Sequence, residues 1–486
     1  MKLALHRGDD SQVLSVSGLA AEGAALGAQK DEHTTLLPAS AIALLAGVQF
    51  ALFGYFLLRT AISSPISDMF NYIDTYLRFR GGDLSLPDYL WRAHGEHHLV
   101  WIRLLTWADV EIFHTRGFAF MLAATLAIMA TAVLLWQQVR RAEHMVGATT
   151  SLALLAPMLI LSTANVIDCS VPINTTYPLT MFFAVMTLVL FAAAPAAAHN
   201  AQSRRLAAMF TAVGASMGTS AGLLLWPILL WLGWLGRLSR TWLVTLAGTG
   251  TLYILFYLKG LYFLGLAPAL ANGADSLFSA AHVEKLAWYF VGFLGLPFTR
   301  AVVLGPTGLL FGGMLLVAGV VCVLGVAHAR RASTPFDRVG IGLILLAFGS
   351  AALAAINRSD LTDEGAIPVR YTMFVSALHV GLLLVIGPRV ARHLERLGRP
   401  QILQSVGLAF ALGLVALQVL IGRSAAEIAD TIRRDADCFV QAMPMEGVSR
   451  TVTRWPEDAG RVIVALRQQG LLTPAQASAC GADPIR

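Results

Sequence analysis

Between Val303 and Ala327 the chain carries no charged residue, and ten other stretches are almost as apolar: 38–58, 117–138, 148–166, 178–196, 206–220, 221–236, 241–258, 338–356, 371–387 and 402–421. A helix rises about 1.5 Å per residue, so about 20 apolar residues match a hydrocarbon core of about 30 Å. The eleven stretches therefore predict an all-α polytopic membrane protein with about eleven transmembrane helices. The pair 206–220 and 221–236 reads as two short helices broken at Gly218-Thr-Ser-Ala-Gly222, or as one span with a buried re-entrant piece. Only 13% of the 486 residues are charged, against about 25% in an average soluble chain.

The net charge of +6 does not indicate a nucleic-acid partner, because the surplus sits in short loops between apolar runs. Loops 139–147, 197–205, 237–240, 328–338 and 388–400 hold Arg140, Arg141, Arg204, Arg205, Arg237, Arg240, Arg330, Arg331, Arg338, Arg389, Arg392, Arg396 and Arg399. The alternating loops 167–177, 259–284 and 357–370 hold only Lys259, Arg358 and Arg370. Lysine and arginine in short loops mark the cytoplasmic side. Residues 1–36 are thus expected to be a poorly ordered cytoplasmic tail, and 423–486 a small extracytoplasmic, periplasmic segment. Parity then requires that 285–298 not cross, and it is expected to lie in the interface with Trp288 and Tyr289 at headgroup depth.

The long loop 59–115 faces outward in this reading and carries the chemistry. Met69, Tyr72, Ile73, Tyr76 and Leu77 form an i, i+3, i+4 stripe, which predicts a helix lying flat on the leaflet. Asp68 precedes that helix, where it can cap the first turn or present a carboxylate at the membrane surface. A second helix is expected from Pro87, with a third starting near His97. Between them stands WRAHGEHHLVWIRLL, residues 91–105, with His94, Glu96, His97 and His98. On a helix, His94 and His98 would share a face at a spacing that can bind zinc. Gly95, the order H-x-E-H-H and the lack of a further Cys/His cluster nearby argue against metal. Two other roles remain: solvated interfacial histidines anchored by Trp91 and Trp101, or a pocket wall beside Asp68. Arg358 and Arg370 end and begin adjacent spans, where each can grip phosphate oxygens, pair with Asp360, Asp363 or Glu364, or snorkel to headgroups. Lys259 is a weaker phosphate candidate.

These residues resemble the GT-C superfamily of integral-membrane glycosyltransferases. The stretch WRAHGEHHLVWIRLL is similar to the HNEHR element of a bacterial subgroup, with Gly95 in place of Asn and His98 in place of Arg. AAINRSDLTDEGAIPVRYTMF resembles that subgroup's GR…G…SRY element; Arg358, Arg370 and Tyr371 match, while Asn357 and Val369 stand for Gly and Ser. The resemblance spans most of 38–421 and implies a GT-C-like transmembrane domain over 37–422. It implies a bacterial inner-membrane enzyme that moves a sugar from a polyprenyl-phosphate donor to a glycan or lipid acceptor hydroxyl, with inversion. Asp68 would be the base, or Glu96 in its stead; His94, His97, Arg103, Lys259, Arg358, Arg370 and Tyr371 would bind substrate. No protein metal site is expected, no cofactor is required by the motifs, and a divalent cation stays open.

The alternative is a multi-pass transporter or flippase, which would place ionisable groups within repeated, discontinuous spans. Here the spans are nearly free of charge, His379 being the main exception, and no repeat is evident. Cys438 and Cys480 both fall in the outward segment, where a disulfide is expected. Thiol titration of unreduced, denatured protein should therefore find two of the four cysteines, and four free thiols would refute the pairing.

Overall fold

The computed structural model describes residues 40–140, 148–192, 200–259, 261, 279–296, 305–329, 333–359, 369–442 and 456–472. The expectations for residues 1–36, for Asp360, Asp363 and Glu364, and for Cys480 lie outside the described residues. Among those described, the protein is α-helical apart from one two-residue hairpin. Among the described residues nine helices are long and apolar enough to cross a membrane: Ser40–Thr60, Phe118–Arg140, Ala153–Ser170, Pro172–Ala192, Arg240–Leu258, Thr307–His328, Pro335–Arg358, Thr372–Arg396 and Gln401–Val440.

The expectation of eleven is corrected at 206–236. There the chain forms two short helices on either side of the glycine-bounded break, as one of the two readings of this pair had it: Ala201–Ser216 and Ser220–Leu235, each of 16 residues. A 16-residue helix is about 24 Å long, short of a core of about 30 Å. The break between them is built by close packing. A Cβ on Gly222 would stand 2.3 Å from Ser216 N, and one on Gly218 would stand 2.3 Å from Thr180 Oγ1. Only glycine lets the backbone turn back on itself at this point.

Side chains from the spans form one large apolar core, with Leu188, Leu225, Ile344, Leu346 and Leu378 fully buried. A second core lies beyond the first span's end and joins loop 59–115 to the last helices. Met69, Tyr72, Ile73 and Tyr76 pack there with Phe439, Val462, Ile463 and Leu466. This overturns the picture of Met69–Leu77 lying flat on lipid. The helix runs Met69–Arg80, and its apolar stripe is covered by protein. Periodicity identifies a face that must be buried and is silent about what buries it.

Three local corrections follow. Asp68 makes no side-chain cap bond to the helix it precedes. Residues 93–98 are a hairpin rather than helix, with His94 opposite His97, and the next helix begins at Val100. Gly95 sits at φ +56°, a left-handed conformation suited to the first position of a tight hairpin turn. Tyr289 lies in helix Ala280–Leu294 with 1% of its surface exposed, so it packs against the bundle instead of sitting among headgroups.

The final transmembrane helix continues unbroken through residue 422 to Ala442. Helix Pro456–Gln468 then packs against Met69–Arg80.

The packing at the 216–222 break can be tested directly. Gly222→Ala is expected to cost about 1–3 kcal/mol, because the added methyl overlaps backbone that cannot yield. Gly413→Ala, whose added carbon meets nothing within 4 Å, should change stability by less than about 0.5 kcal/mol. Thermal unfolding midpoints in detergent check both.

Candidate functional site

The hairpin aims its histidines and glutamate at two different neighbours. His94 Nε2 lies 3.5 Å from Asp68 Oδ2, and the His94 ring meets the Tyr72 ring edge-on at 5.0 Å. Glu96 is almost buried, and Arg358 Nη2 donates to its Oε1 at 3.0 Å. His97 Nε2 stands 3.7 Å from the same oxygen. The His97 Nδ1 accepts a hydrogen bond from the Ser220 backbone N–H at 3.1 Å. That acceptor role leaves the ring proton on Nε2, facing Glu96.

A cleft opens beside the second of these neighbourhoods. Glu96, His97, Arg358 and Asn357 line it with Tyr177, Ser220, Tyr371 and Phe374, enclosing about 440 Å³ including its open mouth. Its polar residues gather around the Glu96–Arg358 pair, and Leu353, Ala354, Ala221 and Phe374 supply the apolar wall. Arg370 borders the site on the short helical turn Val369–Tyr371. Its guanidinium is raised above the ordinary arginine range, first by Tyr177, with Tyr371 and Asp68 adding and burial opposing. Tyr371 stacks on Phe293 at 5.1 Å, which holds its ring at the cleft wall.

Of the residues singled out in the sequence, Asp68, His94, Glu96, His97, Arg358, Arg370 and Tyr371 thus come together from four separate parts of the chain. Two others stand apart. Arg103 is fully buried away from the cleft, its guanidinium over the rings of Tyr72 and Tyr89 at 5.5 and 5.9 Å. Among the described residues its side-chain nitrogens have no hydrogen-bond partner. Burial lowers its pKa, because a desolvated charge is costly. Lys259 is exposed at the end of helix Arg240–Leu258, and among the described residues it makes no hydrogen bond or ion pair with the cluster.

His98 is a buried packing group rather than a solvated one, while Trp91 and Trp101 are half-buried. His98 is 2% exposed; its ring nitrogens face Trp91 O at 2.6 Å and Tyr257 O at 3.0 Å, and Trp91 stacks on it at 4.5 Å. Trp101 Nε1 donates to Gly214 O at 2.7 Å. Among the described residues no group of three or more His, Cys, Asp or Glu is placed to hold a metal ion.

Sequence reasoning passed over Ser220, Tyr177 and Asp168. The glycine-bounded break at 218–222 was the available signal for Ser220, since a break inside apolar chain must satisfy its freed backbone groups somewhere. Asp168 is fully buried on a short helix packed against Val369–Tyr371, and its carboxyl oxygens have no hydrogen-bond partner among the described residues. Nothing in the string VIDCS marks it. Comparison of the chain with family models, with curated proteins and with solved structures found no match.

Burial pushes the His97 pKa down from 6.5 to about 4. Glu96 is held below its ordinary value: burial opposes ionisation, and His97 and Arg358 outweigh it. The unfolded chain therefore takes a proton at His97 between pH 6.5 and about 4 while the folded protein does not. Stability is full above pH 6.5 and declines through that window as pH falls. His97→Gln keeps an acceptor for Ser220 N–H and removes the titration. It should flatten the fall in unfolding midpoint across the window, leaving the carboxylate-linked loss at lower pH.

Proposed function

We propose that this protein is a membrane glycosyltransferase of GT-C-like architecture, moving a sugar from a polyprenyl-phosphate donor to an acceptor hydroxyl at the extracytoplasmic face of a bacterial inner membrane. The observation that supports the reading is a cleft lined by Glu96, His97, Arg358 and Tyr371, with Arg370 acting electrostatically on both His97 and Asp68, and with the Asp68–His94 pair on the other strand of the same hairpin. Gly95 supports the family likeness: its left-handed φ is one that glycine and asparagine tolerate, so Gly in place of Asn preserves the turn.

The chemistry follows from the placement. Asp68 takes the proton of the acceptor hydroxyl as that oxygen forms its bond to the anomeric carbon. The bond from that carbon to the phosphate oxygen breaks on the opposite face, and the electron pair leaves with the phosphate. Arg370 and Arg358 stabilise the charge that develops there. Glu96 is the less suitable base, because Arg358 already occupies one of its oxygens and keeps it ionised. Its role is to anchor Arg358. The prenyl chain lies among the spans, and the acceptor is a glycan or lipid.

Transfer of labelled sugar from polyprenyl-phosphate sugars, measured with the reconstituted protein, tests this reading. Asp68→Asn should lower kcat about 10²- to 10⁴-fold, and Arg370→Ala about 10²- to 10³-fold, as for loss of one charge-stabilising donor. Glu96→Gln should have the smallest effect of the three. Intact transfer in both Asp68→Asn and Arg370→Ala would remove the proposed site. Mass spectrometry of lipid retained through purification should find a prenyl-phosphate sugar.

A further inference from the structure

We infer that the part of helix Pro400–Ala442 beyond the membrane, with the segment after it, is a clamp that aims Asp68, and that Arg433 and Asp437 are its positioning residues. The helix has 43 residues, about 65 Å in length, so roughly half of it projects past a core of about 30 Å. That projecting half does not end in solvent. It bonds to the first turns of loop 59–115.

Arg433 spends its guanidinium on main chain. Its Nη2 donates to Arg59 O at 2.7 Å and Ala61 O at 2.9 Å, and its Nε donates to Ala61 O at 3.1 Å. Asp430 fixes Arg433 in place through Nη1 at 2.7 Å and also pairs with Arg59 at 3.2 Å. One turn further, Asp437 accepts from the Ser64 hydroxyl. Phe439 meets Phe70 edge-on at 5.8 Å. These contacts bracket residues 59–70, with Asp68 inside the bracket.

The backbone within the bracket is strained. Ser67, immediately before Asp68, sits at φ +49°, in the left-handed region that side chains other than glycine rarely occupy. Four non-glycine residues have positive φ among those described: Ser67, His114, Thr115 and Arg237. Three of them lie near the two ends of loop 59–115, and the C-terminal segment grips near both. At the far end the Thr115 hydroxyl donates to Leu471 O, while Arg80 donates to Gln469 at 3.0 Å. Strained backbone persists where its surroundings over-determine it. Here the surroundings are supplied from more than 350 residues away in the chain.

The kinetic part of this inference rests on the glycosyl-transfer reading; the structural part does not. The test uses the full chain and measures amide hydrogen exchange alongside transfer kinetics with polyprenyl-phosphate sugars. Arg433→Ala should speed exchange across residues 61–70 by about 10-fold or more while the amides of span Phe118–Arg140 stay protected. It should lower kcat about 10- to 100-fold with donor KM nearly unchanged, since misplacing a catalytic group damages the reaction step more than binding. Asp437→Asn keeps an acceptor oxygen for Ser64 and should restore most of what Asp437→Ala loses. Ser67→Gly in the Arg433→Ala background lowers the cost of the left-handed turn and should recover part of kcat.

Unchanged exchange over 61–70 in Arg433→Ala would overturn the inference. So would a loss of kcat matched by global unfolding, with no recovery from Ser67→Gly. A wild-type protein without transfer activity would refute the glycosyl-transfer reading instead, and the exchange result alone would then decide the clamp.

Discussion

The bond between Arg358 and Glu96 closes this structure. It ties a hairpin in the first loop to the end of a span 262 residues later. Both groups are largely withdrawn from water, with side-chain exposures of 24% and 9%. Removing one partner of such a pair typically costs about 3–5 kcal/mol, because the survivor is left as an uncompensated buried charge. The pair therefore locks geometry more than it adds net stability. With Glu96 fixed, the hairpin register fixes His94 and His97, and His97 in turn receives the backbone of the 216–220 break. The cleft inherits its shape from this chain of contacts.

The membrane architecture was legible in the sequence because burial in lipid imposes a length and a composition on each helix. Nine of the eleven apolar stretches correspond to helices that meet both demands. The remaining pair failed on length, and the reason lay in plain view as Gly218 and Gly222. The interior of loop 59–115 was less legible. A stripe at i, i+3, i+4 says that Met69, Tyr72, Ile73 and Tyr76 are buried, and lipid or protein would satisfy it equally. The covering surface came from Phe439, Val462, Ile463 and Leu466, which no local pattern connects to residue 69.

The candidate site divides along the same line. Residue chemistry pointed to Asp68, Glu96, Arg358 and Arg370, since charged groups beside spans are few and expensive. Their partners were not readable. Helical spacing grouped His94 with His98; the turn at Gly95 instead sets His94 against Asp68 and sends His98 into a packed environment with Trp91 and Tyr257. One residue in a left-handed conformation was enough to separate His94 from His98 and to leave His97 as the histidine that lines the cleft. Arg103 shows the converse case: the fold places it, fully buried, over two tyrosine rings, apart from the cleft.

Under the proposed transfer reaction, the two carboxylates differ in environment in a way that separates their tasks. A base must be free to gain a proton when the acceptor loses one. Glu96 is engaged by a guanidinium, and any proton it takes must be set against that bond. Asp68 is more exposed, at 31% against 9% for Glu96, and His94 Nε2 lies 3.5 Å from its Oδ2. Asp68 acts on Arg370 through its field, helping to hold the guanidinium charged, and that guanidinium is the one proposed to meet phosphate. Under that reading the phosphate and the base would sit in the field of one guanidinium, coupling the two halves of the reaction through it.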